Sequence, residues 1–171
     1  MKEQNLKDKI IIYPTDTIYG IGCYALNSEL VKKIKEIKKR ENKPFSIIVN
    51  KTWIRDNCEV NKLVEEYLRK LPGKYTFILE LKNKNAVSKE VNNNGETIGV
   101  RIPKHEITKI LPIPFVTTSV NLSGEKPITN IKDIPEEIRN RVDLIMDYGT
   151  LKNQASTVID LTGDKAVVLR R

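Results

Sequence analysis

Apolar and polar positions follow two periods along this chain, and most of its elements can be read from where one period gives way to the other. Residues 10–13 form a short all-apolar run, the pattern of a strand buried on both faces. Over 27–39 the period lengthens. Leu30, Val31, Ile34 and Ile37 share one helical face, and Asn27 or Ser28 can cap it. Residues 45–49 read as a second buried strand. Leu63, Val64, Tyr67, Leu68 and Leu71 mark an amphipathic helix stopped by Pro72-Gly73. Strands are expected over 75–81, 97–102 and 115–120, with a short helix over 106–111. Residues 82–96 are polar and asparagine-rich and read as a surface loop. Pro135 opens a short helix. Two late strands, 142–146 and 156–161, precede the turn Thr162-Gly163-Asp164-Lys165, which returns the chain into 166–169 as a hairpin. Helices and strands mix, but the late strands crowd together. The expected fold class is therefore α/β, a twisted mixed sheet with packed helices rather than a parallel βαβ wheel.

The pattern breaks most sharply at 10–23, IIIYPTDTIYGIGC. An apolar strand ends at Pro14 and gives way to Thr15, Asp16 and Thr17, then to the pair Gly20 and Gly22. Polar groups held at a strand end are where open α/β sheets place ligands. The same grammar recurs at 117–124, TTSVNLSG, where a strand runs into hydroxyls, an amide and a glycine. Either segment alone is an ordinary turn; the repetition favours a site.

Composition narrows the chemistry. With 171 residues, 39% apolar and 30% charged, the chain suits one compact domain over 1–171. No apolar run approaches the roughly 20 residues that span a bilayer, and the start, MKEQNLKDK, is unlike a signal peptide. A cytoplasmic location without a membrane partner is expected. Two cysteines, Cys23 and Cys58, and one histidine, His105, are too few for a zinc cluster and leave a serine-histidine triad without a nucleophile motif. The net charge of +8 favours anionic partners. Between residues 32 and 43 stand seven basic residues against two acidic ones, a helix end favourable to the macrodipole or a polyphosphate clamp. Arg101 closes an otherwise apolar strand and needs a partner: Asp16, Asp160 or a ligand carboxylate. Neither a Walker A pattern nor G-x-G-x-x-G is present.

Taken together, PTDTIYGIG (14–22), Lys38-x-Arg40 with Lys43-Pro44, PGKYTFIL (72–79), GVRIP (99–103), TTSVNLSG (117–124), STVID (156–160) and VLRR (168–171) closely resemble the YrdC-like family of threonylcarbamoyl-AMP synthases. The resemblance implies a large concave, positively charged cavity. It also implies condensation of L-threonine, bicarbonate and ATP into threonylcarbamoyl-AMP with release of pyrophosphate, Mg²⁺ being carried by ATP. A separate transferase then modifies tRNA beside the anticodon. The resemblance assigns ATP to Lys38, Arg40, Lys43, Ser119, Asn121 and Arg170, with Lys38 and Arg40 catalytic. It assigns threonine to Thr15, Thr17, Arg101, Thr117 and Ser156. The chain departs from the family in the shorter Glu41-Asn42 link before Lys43 and in Val120 between Ser119 and Asn121. Two rival readings remain: an RNA-binding module of the same fold, with weak RNA binding through the basic stretch, and a domain handling plain carbamoyl-adenylate.

Overall fold

The computed structural model describes residues 6–40 and 42–170. Apolar β-branched residues set its frame. β1 (Ile11–Tyr13) pairs antiparallel with β2 (Gly20–Gly22), and β2 pairs in turn with β6 (Phe115–Ser119). β3 (Ser46–Ile48) lies antiparallel to β6 and parallel to β5 (Thr97–Arg101), which pairs antiparallel with β4 (Tyr75–Glu80). β7 (Leu144–Ile145) joins β1 in parallel, while β8 (Thr157–Asp160) and β9 (Val167–Arg170) extend the β4 side. Among the described residues this gives one nine-stranded mixed sheet, ordered β7-β1-β2-β6-β3-β5-β4-β8-β9.

Two-residue alternation sorts each strand between two faces. One face carries the main core. Ile12, Ile21, Ile47, Phe77, Leu79, Ile98, Val100, Val116 and Ile159 meet the apolar stripes of α1 (Ser28–Lys38), α2 (Lys51–Asn57) and α3 (Lys62–Leu68). The other face is divided. At the β1 end, Ile11, Tyr13, Ile48 and Phe115 form a second core with Ile107 of the short 3₁₀ turn Glu106–Lys109 and with Leu111 just after it. Beyond it, the same registers change from aliphatic to hydroxyl, glycine and arginine, and a cavity opens there: Ser46 precedes Ile48 on β3, and Thr117 and Ser119 follow Phe115 on β6.

Two elements had no counterpart in the sequence reading, and one expectation changes. Gly20–Gly22 is a strand, although two glycines in three residues carry no strand propensity; its neighbours β1 and β6 impose the pairing. A Cβ on Gly22 would stand 1.8 Å from the Val116 carbonyl oxygen, so the β2–β6 approach requires a glycine. The helix α2 buries only Ile54 along its length, too little for a visible period. Residues 82–96 are not simply a surface loop. They contain the 3₁₀ turn Lys84–Ala86 and α4 (Lys89–Asn92), bury Ala86, Val87, Val91 and Asn92, and accept the Phe45 N–H on the Val91 carbonyl at 2.7 Å. Expected bounds elsewhere hold to within a few residues; 171, the last residue of the C-terminal motif, lies outside the described residues.

Candidate active site

The cavity holds about 310 Å³ on the sheet's second face. Its floor is built from alternate strand positions: Gly20, Ser46, Thr76 and Ile78, Thr97 and Gly99, Thr117 and Ser119, and Val158, with Ser156 just before β8. Three arginines line it, Arg40, Arg101 and Arg170, and no carboxylate does among the described residues. The wall thus combines fixed cationic forks with neutral hydroxyls, a donor set suited to phosphate and carboxylate oxygens.

Arg40 reaches the cavity because of how α1 ends. Asn27 caps the start, its Oδ1 accepting the Leu30 N–H at 3.2 Å. At the other end Lys39 takes the left-handed conformation, φ 50°. The Lys39 N–H then bonds the Glu36 carbonyl at 3.1 Å and the Arg40 N–H bonds the Lys35 carbonyl at 2.9 Å. These two bonds form a Schellman closure made without glycine, and it turns the chain toward the sheet. The Arg40 guanidinium donates to the Pro44 carbonyl at 3.0 Å and lies 5.7 Å from the Phe45 ring centre. Its Nε is buried without a hydrogen-bond partner. Burial, and then neighbouring Arg170, pull its pKa below the ordinary value.

Arg101 is 7% exposed and ends β5. Its Nη2 donates to Asp16 Oδ1 at 2.9 Å and to Thr17 Oγ1 at 3.2 Å. Of the three partners open from sequence, Asp16 is therefore one; Asp160 instead caps the β8–β9 turn, accepting the Thr162 N–H at 2.9 Å. The Arg101 Nε is also buried without a partner. The hydroxyl elbow is tied internally: Thr15 Oγ1 donates to the Ile18 carbonyl at 2.7 Å and accepts the Thr17 N–H at 3.1 Å. At the opposite side, Ser156 Oγ lies 2.8 Å from Thr76 Oγ1, and Arg170 donates to the Ser156 carbonyl at 2.9 Å.

Lys38 stands behind the wall. It is 1% exposed. Its ammonium donates to the Ser119 carbonyl, to the Asn121 carbonyl at 2.6 Å and to Asn121 Oδ1 at 2.8 Å. Burial first, and Arg40 second, lower its pKa to about 7, against three oxygens that take its three protons. Ser119 Oγ donates to Asn121 Oδ1 at 2.5 Å, so Lys38, Ser119 and Asn121 form one knot that shapes the loop after β6.

Of the residues singled out from sequence, Thr15, Arg40, Arg101, Thr117, Ser119, Ser156 and Arg170 line the cavity. Thr17, Lys38 and Asn121 are buried and do not line it, and Lys43 is exposed and not among its lining residues, although its neighbour Pro44 is. The basic stretch disperses instead of forming one face: Lys32 faces Glu90 at 3.7 Å, Lys39 faces Glu137 at 3.1 Å, Lys38 is buried and Arg40 enters the cavity. Sequence reading gave no role to Thr76, Thr97 and Ser46, and named Thr118 only as part of the 117–124 segment. The alternation in Tyr75-Thr76-Phe77 places Thr76 opposite its aromatic neighbours, but it does not say that this side is open. Cys23 and Cys58 are buried thiols, both pushed up to about 12 by burial. No described helix is long and apolar enough to cross a membrane.

The fold and its arginine-lined cavity define an α/β protein whose concave mixed sheet presents a donor set suited to anionic small molecules. The family model Sua5/YciO/YrdC, described as "Telomere recombination", matches residues 4–171, and the chain belongs to that family. It is 40% identical to the putative threonylcarbamoyl-AMP synthase of Methanocaldococcus jannaschii, over 99% of this chain and 83% of the relative. Among solved structures, Sua5 of P. abyssi complexed with L-threonine superposes with a TM-score of 0.86 at 30% identity, covering 95% of this chain and 50% of that one. E. coli YciO superposes with a TM-score of 0.84 at 28% identity, covering 95% and 82%.

Proposed function

We propose that this protein is an L-threonylcarbamoyl-AMP synthase, joining L-threonine, bicarbonate and ATP and releasing pyrophosphate, in service of tRNA modification. The observation that carries the reading is a single cavity lined by Arg40, Arg101 and Arg170 and by no described carboxylate. The threonine-bound Sua5 relative supports the amino-acid half of it.

The chemistry asks for placement and charge neutralisation. The threonine amine adds to CO2 from bicarbonate and gives up a proton, forming a carbamate. A carbamate oxygen then forms a bond to the α-phosphorus of ATP as the bond to the pyrophosphate oxygen breaks. Neither step uses a covalent protein nucleophile, which suits a chain with two buried thiols and one histidine. Arg101, with Thr15, Thr117 and Ser156 lining the same cavity, suits the threonine carboxylate and hydroxyl. Arg40, Arg170 and Ser119 suit the phosphates, where cations that meet growing negative charge lower the barrier. Lys38 supports that side through the Ser119–Asn121 knot. Mg²⁺ enters on the triphosphate; among the described residues no cluster of three His, Cys, Asp or Glu could hold it unaided. The product passes to a tRNA threonylcarbamoyl transferase in the cytoplasm.

Pyrophosphate release with all three substrates and Mg²⁺ tests the reading. Release that requires threonine is expected. Release indifferent to threonine, or none, overturns it.

A further inference from the structure

We infer that Asp16 is a positioning residue that sets which edge of Arg101 meets the amino-acid substrate; this rests on the synthase reading above. Asp16 does not line the cavity. Its carboxylate bridges two donors, taking Arg101 Nη2 on Oδ1 at 2.9 Å and the backbone N–H of Lys104 on Oδ2 at 2.9 Å. The Arg101 and Asp16 side chains are 8% and 7% exposed, so neither has bulk water as an alternative partner. Thr17 Oγ1 holds the same Nη2 at 3.2 Å, and Thr17 is tied to Thr15 at 2.9 Å. Nη2 is thereby committed to Asp16 and Thr17. Nε stays buried and without a partner on a residue that lines the cavity.

With Nη2 committed to Asp16 and Thr17, an acceptor in the cavity can meet Arg101 only through the N–H groups that remain, the unpartnered Nε among them, and the Asp16 contact decides which those are. Asp16 also offsets the buried charge of Arg101, so the cation remains in the wall between turnovers. The Asp16 carbonyl in turn accepts from Asn153 Nδ2 at 3.2 Å, which fixes the elbow from the strand-β8 side.

Asp16→Asn tests this. An amide offers one acceptor oxygen where the carboxylate offers two, so either Arg101 or the Lys104 N–H loses its partner. In threonine-dependent pyrophosphate release, the expected result is a threonine KM raised tenfold or more, with the ATP KM within twofold of wild type and a retained cooperative melt. Asp16→Glu keeps the charge but pushes the guanidinium inward by a methylene, and it is expected to raise the threonine KM in the same selective way. It carries the test alone if Asp16→Asn does not fold. A threonine KM within twofold of wild type in a folded variant overturns the inference, as does an equal rise in both KM values. If the wild-type protein shows no threonine-dependent release, the synthase reading itself fails, and that outcome is separate from these.

Discussion

Replacing Arg40 by alanine separates catalytic from structural roles at the phosphate side of the cavity. The structural losses are small and partly offset. The hydrogen bond to the Pro44 carbonyl, 3.0 Å and exposed, contributes about 0.5–1.5 kcal/mol, and the truncation removes a buried Nε without a partner, a relief of about 1–3 kcal/mol. The contact 5.7 Å from the Phe45 ring adds about 0.5–1 kcal/mol. The losses and the relief nearly cancel, so stability should change by no more than about 2 kcal/mol in either direction. Catalysis should suffer more. Removing one preorganised donor from developing charge costs about 10²–10³ in rate, and tenfold, about 1.4 kcal/mol, is the smallest loss compatible with the proposed role. The assay is steady-state pyrophosphate release with ATP and threonine varied separately, beside a urea melt. The expected result is a lowered kcat or a raised ATP KM, with the threonine KM and the melt nearly unchanged. Wild-type turnover in a folded Arg40→Ala protein would refute the reasoning and return this arginine to a merely structural helix end.

Other outcomes follow from the packing. Gly22→Ala should cost at least about 2–3 kcal/mol in a denaturant melt, because its Cβ would stand 1.8 Å from the Val116 carbonyl oxygen and must separate β2 from β6; an unchanged midpoint would show that the strands part freely. Lys39→Gly should stabilise by about 0.5–1 kcal/mol, since a residue at φ 50° gives up left-handed strain, while the exposed pair with Glu137 is worth little; turnover should not change. Lys38 has a native pKa lowered from 10.5 to about 7, so above pH 7 the unfolded chain binds the proton that the native state has released. Stability should therefore rise as pH increases from about 7 toward 10.5, and Lys38→Met should lack that rise. A pH-independent difference between the two would mean that the three oxygens around Lys38 keep it charged.

The frame of this fold was legible because its strands and longest helix repeat a clean period. Ile10 and Ile12 against Ile11 and Tyr13, or Ile98 and Val100 against Gly99 and Arg101, separate into two faces in the sequence as they do in the sheet. What escaped had no period to read. Gly20–Gly22 is a strand through its neighbours, and α2 fully buries only Ile54, with Trp53 partly buried against the core. Polar 82–96 hides Val87 and Val91 among asparagines. The site was legible as residue types at strand ends, which is why seven of the residues singled out line one cavity. Their division into wall and support was not. Lys38 and Arg40 are two positions apart, yet the left-handed turn at Lys39 buries one and delivers the other to the cavity. Nor could sequence choose between Asp16 and Asp160 for Arg101, since that choice depends on the Lys104 backbone meeting Asp16 from the far side.

The most direct test of the central claim follows the carbon of bicarbonate. Protein incubated with labelled bicarbonate, L-threonine, ATP and Mg²⁺ should yield an adenylate that carries the label, whose formation stops when threonine is withheld. Label absent from every adenylate, or present in one formed without threonine, would contradict the account.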